Sequence, residues 1–347
     1  MLQNDLKKIN ELSFKISNSK DVGEKDQLTE KLTGLLNLIK KDAISSFKNE
    51  SDIKKFLDNI CKMHKYSYNN QILIYLQYPN ASYVASYNTF RKMGYHVKKD
   101  ETGIKILRPS FYTVVKIKNP EEKGSDIIKP YFALTEKEKL KYKNKYDDDI
   151  TFHSYKFNGF KIGTVFDASQ TSMPLEEINK KLNPVLKDDR ANGIEDIFIK
   201  AIYRDGFKVK YMEHSKTGAK GYCDHENREI VVLKGLNDLM RLKVVIHEYA
   251  HALAHEHLEK NHEEYVEHRN KYETEAESIA YVVCKYLGLN TSDYSNMYLY
   301  SWSLNRDFKE IDDSFSTIIN YSKKIIDNFE KMLAKEKTLD KEKNVKI

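Results

Sequence analysis

Residues 244–257 read VVIHEYAHALAHEH, and this stretch decides how the second half of the chain is interpreted. His247 and His251 are four positions apart, with Glu248 beside the first histidine. Residues at i and i+4 share one helical face, so both imidazoles can reach a single ion at about 2.1 Å. A zinc ion there would make a water molecule acidic near neutral pH, and Glu248 could accept its proton. The surrounding apolar residues predict a buried helix over about 236–258.

A zinc site of this kind needs a third ligand, and the quoted stretch holds two further histidines. His255 lies eight residues after His247, about 12 Å along one helix, so the two cannot share an ion. His257 completes the spacing H-E-x-x-H-x-x-A-x-x-H, but the metzincin pattern has Gly where Ala254 stands. Gly is needed there because the helix must turn sharply, whereas Ala254 favours continuation of the helix. His257 is therefore the weaker candidate.

Another candidate lies downstream, where residues 272–289 read YETEAESIAYVVCKYLGL and predict a helix over about 270–287. Glu273 and Glu277 share one face of this helix with small residues, and carboxylates are rarely buried without a partner. We expect Glu273 to complete the metal site and Glu277 to orient a ligand histidine. Glu275 points to another side, where a solvent-facing glutamate is the simpler interpretation.

HEYAHALAH followed by ETEAESIAYVVCKYLGL resembles the ImmA/IrrE family of zinc metallopeptidases, over about residues 195–305. The resemblance implies a gluzincin-type site. The roles it implies are His247, His251 and Glu273 as zinc ligands and Glu248 as general base. It also includes GYCDHENREIVVL at 221–233, which matches the strand that lines the cleft in zincins and can pair with an extended substrate.

The first half of the chain has a different character, because its positive charge is concentrated in one segment. Residues 51–118 carry 12 Lys and Arg against 4 Asp and Glu, although the whole chain has a net charge of only +6, and ten Tyr or Phe lie within 64–112. Aromatic rings stack on unpaired bases, and cationic side chains neutralise phosphates. We therefore predict a nucleic-acid-binding surface formed by Tyr66, Asn69, Asn70, Tyr78, Lys98, Lys99, Lys105 and Arg108. The alternative is that the tyrosines are core residues and the lysines an ordinary solvated face.

Residues 65–107, KYSYNNQILIYLQYPNASYVASYNTFRKMGYHVKKDETGIKIL, and VFDASQT at 165–171 resemble the N-terminal domain of ArdC-type antirestriction proteins. The resemblance covers about residues 50–172 and implies a domain that binds single-stranded DNA. Phe90 stands where the family usually has Trp. A DNA-binding domain followed by a metallopeptidase is also the order seen in ArdC-like proteins of mobile elements.

Together these patterns predict an α+β protein with two domains and a C-terminal helix. An α/β domain over 1–175 binds single-stranded DNA and has a helical N-terminal extension. In it, GIKILRP and FYTVVKIK (103–118) form a strand pair, and FNGFKIGTVFD (157–167) adds a strand. A mostly helical, gluzincin-like domain with a small β-sheet covers 185–305, and a helix and tail cover 306–347.

The predicted function is that of a single-stranded-DNA-binding zinc metallopeptidase of a mobile genetic element, acting in antirestriction. Its cofactor would be Zn²⁺, and its partners single-stranded DNA and an unidentified protein substrate. Two alternatives stay open: a non-proteolytic protein that coats single strands and has a structural zinc, and a repressor-cleaving protease. Tyr294 and His262 are candidates for the group that donates a hydrogen bond in the transition state. Scattered cysteines and the absence of a long apolar run predict a cytoplasmic protein with no membrane partner.

Overall fold

A computed structural model describes the chain apart from residues 1, 20, 118–126, 131–133, 144–149, 183–192, 216–217, 259–261, 290–296, 305 and 345–347. The fold is mixed α+β, as the sequence predicted. The chain forms two compact units. The first contains residues 1–39 and 105–164, and the second contains residues 40–104 and 165–347.

The elements follow one another in this order. The first part contains α1 (Leu2–Asn18), α2 (Val22–Ser45), α3 (Glu50–Lys62), α4 (Tyr68–Gln77), β1 (Val84–Ala85) and α5 (Tyr87–Lys92). The middle contains β2 (Ile104–Ile117), β3 (Ile127–Pro130), α6 (Glu136–Lys143), β4 (Ile150–Asp167), α7 (Leu175–Leu182) and α8 (Ile194–Arg204). The last part contains β5 (Lys208–Met212), β6 (Gly221–Asp224), β7 (Glu229–Leu233), α9 (Asp238–Ala254), α10 (His262–Glu267), α11 (Arg269–Tyr286), α12 (Met297–Ser303) and α13 (Phe308–Asn344).

In the first unit, β2 is one continuous strand, so the expected strand pair within 103–118 is wrong. Pro109 does not interrupt the strand, because its fixed φ suits extended backbone and it lies outside the ladder to β3. That antiparallel ladder begins with Val114 opposite Pro130 and ends with Ile117 opposite Ile127. β4 is the other neighbour of β2 and contains the predicted strand 157–167.

In the second unit, an aromatic cluster joins the N-terminal helices α3 and α4 to the C-terminal helix α13. The ring of Phe56 lies 5.2 Å from that of Tyr75 and 5.2 Å from that of Phe315, in edge-to-face geometry. Lys40 adds an ion pair of 2.6 Å with Asp312. Because these contacts bury apolar surface from both ends of the sequence, residues 40–104 share a core with α13. The compact units therefore do not follow the boundary predicted near residue 175.

The three-stranded sheet of the second unit has the order β5-β7-β6, with β5 parallel and β6 antiparallel to β7. β6 and β7 are joined by a tight turn at Asp224–Arg228. The carboxylate of Asp224 accepts from the backbone N–H of Asn227 at 2.9 Å, and Arg228 takes the left-handed conformation with φ of 52°. β6 is thus an edge strand of this sheet and runs antiparallel to β7.

Helix α9 begins at a side-chain cap, where Asn237 accepts from the N–H of Met240 at 2.9 Å. It ends at Ala254, so the predicted continuation to residue 258 is wrong. His255 leaves the helical conformation, with φ of −118°, and a short 3-10 turn covers Glu256–Leu258. The imidazole of His255 points into the interior and hydrogen-bonds there, which offsets the helical bonds lost at this point.

Helix α11 packs against α3, α9 and α13. Ala276 and Ala280 are fully buried, so the small side chains predicted on this face allow close helix packing. The helix stops before Gly288, whose φ of +74° is the left-handed conformation typical of helix ends. Among the described residues, no helix combines the length and apolar character needed to cross a membrane.

Candidate metal centre

Two helices bring three potential metal ligands together. α9 supplies His247 and His251 and α11 supplies Glu273, and one ligand atom from each lies within 4.8 Å of the others. The Nε2 atoms of both histidines lie 3.6 Å from Oε2 of Glu273. Ligand atoms that surround a zinc ion tetrahedrally at about 2.1 Å are about 3.4 Å apart, so the spacing fits a divalent metal ion.

The charges of the metal-free site are set by burial and by the short contacts between these three groups. Burial lowers the pKa of His251 to about 4, which keeps its ring neutral and able to bind a metal. Burial alone would also lower the pKa of His247, but the carboxylates of Glu273 and Glu277, 3.6 Å and 3.4 Å from its two ring nitrogens, raise it to about 10. For Glu273, burial opposes ionisation, yet the two histidines hold its pKa well below the usual range. The metal-free site therefore holds a proton on His247 that a metal ion would replace.

Glu248 lies beside the triad in a cavity of about 370 Å³. The cavity is lined by Lys220, Gly221, Met240, Lys243, Val244, His247, Glu248 and Glu277. Burial raises the pKa of Glu248 to about 7, with Glu273 adding to the rise and His247 opposing it. A carboxyl group with a pKa near neutrality can both accept and return a proton, which is what a general base in this position needs.

Glu277 and Glu273 face different nitrogens of the His247 ring. Oε2 of Glu277 is 3.4 Å from Nδ1 of His247, whereas Nε2 of the same ring faces Glu273. A carboxylate in this position can fix the orientation of a ligand histidine. The orienting role of Glu277 stays a prediction, and the 3.4 Å distance to His247 is short enough for it.

The expectation that Glu275 faces solvent is wrong. Its side chain is only 3% exposed, Oε2 lies 3.1 Å from Nε2 of His255, and Oε1 accepts a 2.6 Å hydrogen bond from the hydroxyl of Ser314. Glu275 is buried because α13 covers the side of α11 that single-helix periodicity left open. Its partners come from the end of α9 and from α13, which spacing within α11 cannot show.

The other two histidines of residues 244–257 lie outside the triad of His247, His251 and Glu273. His255 does not share the ion site with His247, but its Nδ1 lies 3.0 Å from Nδ1 of His251. His257 is exposed on the 3-10 turn. Of the two predicted transition-state donors, Tyr294 lies outside the described residues, and so does the side chain of His262.

Tyr265 is a residue of the site that the sequence reasoning missed. Its hydroxyl donates a 3.1 Å hydrogen bond to Oε1 of Glu273, and its ring stacks on that of Tyr272 at 5.9 Å. Burial, followed by the charge of Glu273, raises the pKa of Tyr265 to about 12, so the hydroxyl remains a donor at neutral pH. No spacing rule places it, because only the packing of α10 on α11 brings it to the ligand.

The predicted DNA-binding residues fall in both compact units. In the second unit, both Tyr78 and Lys98 contact Ser169. The hydroxyl of Tyr78 lies 2.9 Å from the hydroxyl of Ser169, and the ammonium group of Lys98 donates to the carbonyl oxygen of Ser169 at 2.9 Å. Lys99, the next residue after Lys98, is exposed to solvent. Lys105 and Arg108 belong to the first unit, where Lys105 donates to the hydroxyl of Thr164 at 2.9 Å and Arg108 is exposed.

Other residues predicted to bind DNA have structural contacts instead of an open surface. The hydroxyl of Tyr66 donates to the carbonyl oxygen of Val84 at 2.9 Å, Asn70 is buried, and Asn69 is half-buried. Phe90 is fully buried in a small core with Ala85 and Met173, so it packs and does not stack on a ligand. The core interpretation of the aromatic residues thus holds for part of this segment.

Helix α5 offers a surface that the sequence reasoning overlooked. Tyr87 is 50% exposed, and Arg91 is exposed one turn later on the same helix. An exposed ring beside a guanidinium group can stack on a base and contact a phosphate. The segment SYNTFRK (86–92) contains both side chains, but their placement on one face requires α5, which the sequence analysis did not predict.

Comparison with known proteins finds similarity to ArdC in the N-terminal part of the chain. Residues 25–166 match the family model for the N-terminal domain of anti-restriction factor ArdC. An uncharacterised protein of Bacillus anthracis is 27% identical over 336 residues, which cover 92% of this chain and 54% of that protein. The chain therefore spans about half the length of this relative.

Two crystal structures of the antirestriction protein ArdC from plasmid R388 are also similar, each at 16% sequence identity. The metal-free structure has a TM-score of 0.41 and covers 77% of this chain and 86% of ArdC. The Mn(II)-bound structure has a TM-score of 0.39 and covers 76% and 85%, respectively. TM-scores this low do not establish a common fold.

Proposed function

We propose that this protein is an ArdC-like antirestriction protein that binds single-stranded DNA and has a zinc-dependent peptidase centre in its second unit. The observation that carries the peptidase proposal is the convergence of His247, His251 and Glu273 beside the cavity that holds Glu248. The match of residues 25–166 to the ArdC N-terminal domain supports the antirestriction and DNA-binding proposal.

The donor set favours zinc, because two imidazoles and one carboxylate are the protein ligands of many catalytic zinc sites. When bound, zinc would supply a Lewis acid and lower the pKa of a water molecule. Glu248 accepts the proton of the attacking water and passes it to the leaving amine, a role for which a pKa near 7 is suitable. Tyr265, whose hydroxyl lies 3.1 Å from Oε1 of Glu273, is close enough to the metal site to donate a hydrogen bond to the substrate oxygen as that oxygen becomes negatively charged.

The edge strand β6 is suited to hold an extended peptide across the cavity. Gly221 at its start lines the cavity together with Glu248, and within the part of the chain that the structure describes, β6 has only β7 as a neighbour in the sheet. Exposed strand edges bind peptides through backbone hydrogen bonds, so specificity for sequence is left to the cavity residues. This arrangement supports an endopeptidase acting on unfolded or extended segments.

The peptidase proposal is tested by a Glu248→Gln variant digesting a peptide library that is analysed by mass spectrometry. We expect zinc content to stay at the parent level and cleavage to fall by a factor of about 10² or more, because the amide cannot accept the proton. Glu267→Gln, at an exposed position, is the matched control and should cleave like the parent. Cleavage by Glu248→Gln at the parent rate would reject the general-base role.

A second candidate function is protection of single strands by coating, without proteolysis. It is favoured because the ArdC match ends at residue 166, well before α9. Protection of single-stranded DNA from nuclease digestion separates the two candidates. If Glu248→Gln protects fully and Lys98→Glu with Lys99→Glu does not, coating accounts for protection. If protection also requires Glu248, the peptidase centre takes part.

A further inference from the structure

A row of hydrogen bonds leads from the metal-facing His251 into the interior of the second unit. Nδ1 of His251 lies 3.0 Å from Nδ1 of His255, and Nε2 of His255 lies 3.1 Å from Oε2 of Glu275. The hydroxyl of Ser314 donates to the other oxygen of Glu275 at 2.6 Å. The row therefore connects α9, the residue that ends α9, α11 and α13.

All four residues of the row are buried. Relative exposure is 6% for His251, 1% for His255, 2% for Glu275 and 1% for Ser314. Buried polar groups are costly unless they are hydrogen-bonded, so apolar residues at these positions would pack with less cost. A continuous polar row at this depth therefore calls for a reason other than packing.

The directions of these hydrogen bonds follow from the role of His251. Its Nε2 faces Glu273 and the other ligand histidine, so a metal ion would bind the lone pair of Nε2. The ring proton then sits on Nδ1 and is donated to Nδ1 of His255. His255 consequently carries its proton on Nε2 and donates it to the carboxylate of Glu275. In this arrangement each donor of His251 and His255 has an acceptor, and Nε2 of His251 remains available to bind the metal.

We infer that His255, held in place by Glu275 and Ser314, is a positioning residue that keeps His251 in the orientation and tautomer that bind the metal. Partners of this kind orient metal-ligating histidines, and their loss typically weakens metal affinity about 10- to 100-fold. The inference rests on the proposed function only in requiring that the triad binds a divalent metal; it does not require peptide cleavage.

The alternative role of His255 is packing, because its ring also lies 4.9 Å from that of Tyr272. Two substitutions separate the roles. His255→Asn keeps an acceptor near the place of Nδ1 but removes volume, whereas His255→Leu keeps volume but removes the acceptor. A packing role makes Asn the more damaging change, and a positioning role makes Leu the more damaging change.

The experiment is a zinc titration of the full chain in competition with a chromophoric chelator, with melting of the metal-free proteins recorded in parallel. We expect His255→Leu to bind zinc about 10- to 100-fold more weakly than the parent. His255→Asn should stay within about threefold of the parent, since the acceptor for His251 is retained. His257→Leu, at the exposed neighbouring histidine, is the matched control and should bind zinc like the parent.

Ser314→Ala gives a second route if His255→Leu does not fold, because Ser314 lies on a helix that supplies no ligand to the triad. We expect zinc binding about threefold weaker, since Glu275 loses its hydrogen bond from Ser314. The inference would be overturned if His255→Leu bound zinc as tightly as the parent, or if the Leu and Asn variants lost zinc affinity equally. If His255→Leu does not fold, an unchanged zinc affinity of Ser314→Ala would overturn it. A parent protein that binds no zinc would overturn it together with the metal centre. Normal zinc binding by a chain that cleaves nothing would count against the peptidase alone.

Discussion

Two glutamates of α11, only two positions apart, show how surroundings decide the chemistry of a side chain. The side chain of Glu273 is 41% exposed and reaches the cavity side, where its pKa is held low by His247 and His251. The side chain of Glu275 is 3% exposed, and burial raises its pKa to about 7. A metal ligand must be accessible to the ion, whereas a carboxylate that orients another side chain can be fully buried. The surroundings of these two glutamates, which spacing within α11 does not show, therefore separate their roles.

At the same scale, zinc affinity should depend on pH through His247. Its pKa of about 10 in the metal-free site means that zinc must displace a proton at neutral pH. Because this pKa is raised, protonation of His247 stabilises the metal-free fold fully below about pH 6.5, and that contribution is lost as pH rises through about 10. Zinc affinity should accordingly increase about tenfold per pH unit between pH 7 and 9.

Calorimetric titrations with zinc in buffers of different ionisation enthalpy measure this linkage. The expected result is release of about one proton per zinc in that pH range. Glu273 does not contribute to the release, since its lowered pKa leaves it ionised throughout. An affinity that is flat between pH 7 and 9, with no proton released, would show that His247 is neutral before zinc binds.

Tyr265→Phe tests the proposed transition-state donor. The hydroxyl is 3.1 Å from Glu273 but does not belong to the triad, so zinc affinity should change by less than about threefold. kcat for peptide cleavage should fall about 10- to 100-fold, because a donor to developing negative charge is lost, while KM changes little. Tyr272→Phe, which removes a hydroxyl bonded to Glu264, is the matched control. A variant with normal kcat and raised KM would exclude the donor role.

At the scale of elements, the contact between β6 and α9 sets the depth of the cavity. A Cβ atom on Gly221 would lie 2.6 Å from Cγ1 of Val244, 3.0 Å from the carbonyl oxygen of Val231 and 3.2 Å from Cγ of Glu248. The strand thus lies against the helix at the residue proposed as general base, and only glycine allows this approach. A side chain there would move the strand, the helix or Glu248.

Gly221→Ala should therefore lower the free energy of unfolding by about 1–3 kcal/mol, the usual cost of overpacking a well-packed contact. Cleavage should fall as well, since Glu248 is displaced. Urea denaturation measures the first effect and a peptide assay the second. Gly235→Ala is the control, because no atom lies within 4 Å of the added Cβ. Equal stability of the Gly221→Ala variant and the parent would mean that β6 can move away freely.

The elements themselves were largely predictable from local patterns, and the errors lie where distant residues decide. Spacing predicted the helix carrying His247 and His251 and the helix carrying Glu273. It did not predict the end of α9, because His255 leaves the helix to bond with a glutamate 20 residues away. Helix propensity describes an isolated segment, and tertiary contacts overrode it here.

At the scale of the whole molecule, the second unit combines features that the sequence assigned to separate domains. Tyr78, Lys98 and Lys99 of the proposed DNA surface belong to the same compact unit as the metal centre. The cause is non-local: Phe56 packs against both Tyr75 and Phe315 of α13, and periodicity within either segment cannot reveal such a contact. A resemblance confined to the first 172 residues suggested a boundary that the packing does not follow.

This shared core makes metal binding a property of the whole second unit. The ligands come from α9 and α11, and α11 packs against α3, α9 and α13, so an ion that joins α9 to α11 is linked to the folding of the core. At a free zinc concentration about 1,000 times the dissociation constant, binding adds about 4 kcal/mol to stability. For a unit of this size, each kcal/mol raises the melting temperature by about 2–4 °C.

Removal of zinc with a chelator should thus lower the melting temperature by about 8–16 °C, measured by calorimetry on the full chain. The shift should appear in the transition of the second unit, because both metal-bearing helices belong to it. In His247→Ala the chelator should have almost no effect, since a ligand is missing before the chelator is added. A parent whose melting curve is the same with and without chelator would show that the triad does not hold an ion in the folded protein, and the zinc-dependent part of the proposed function would then fall with it.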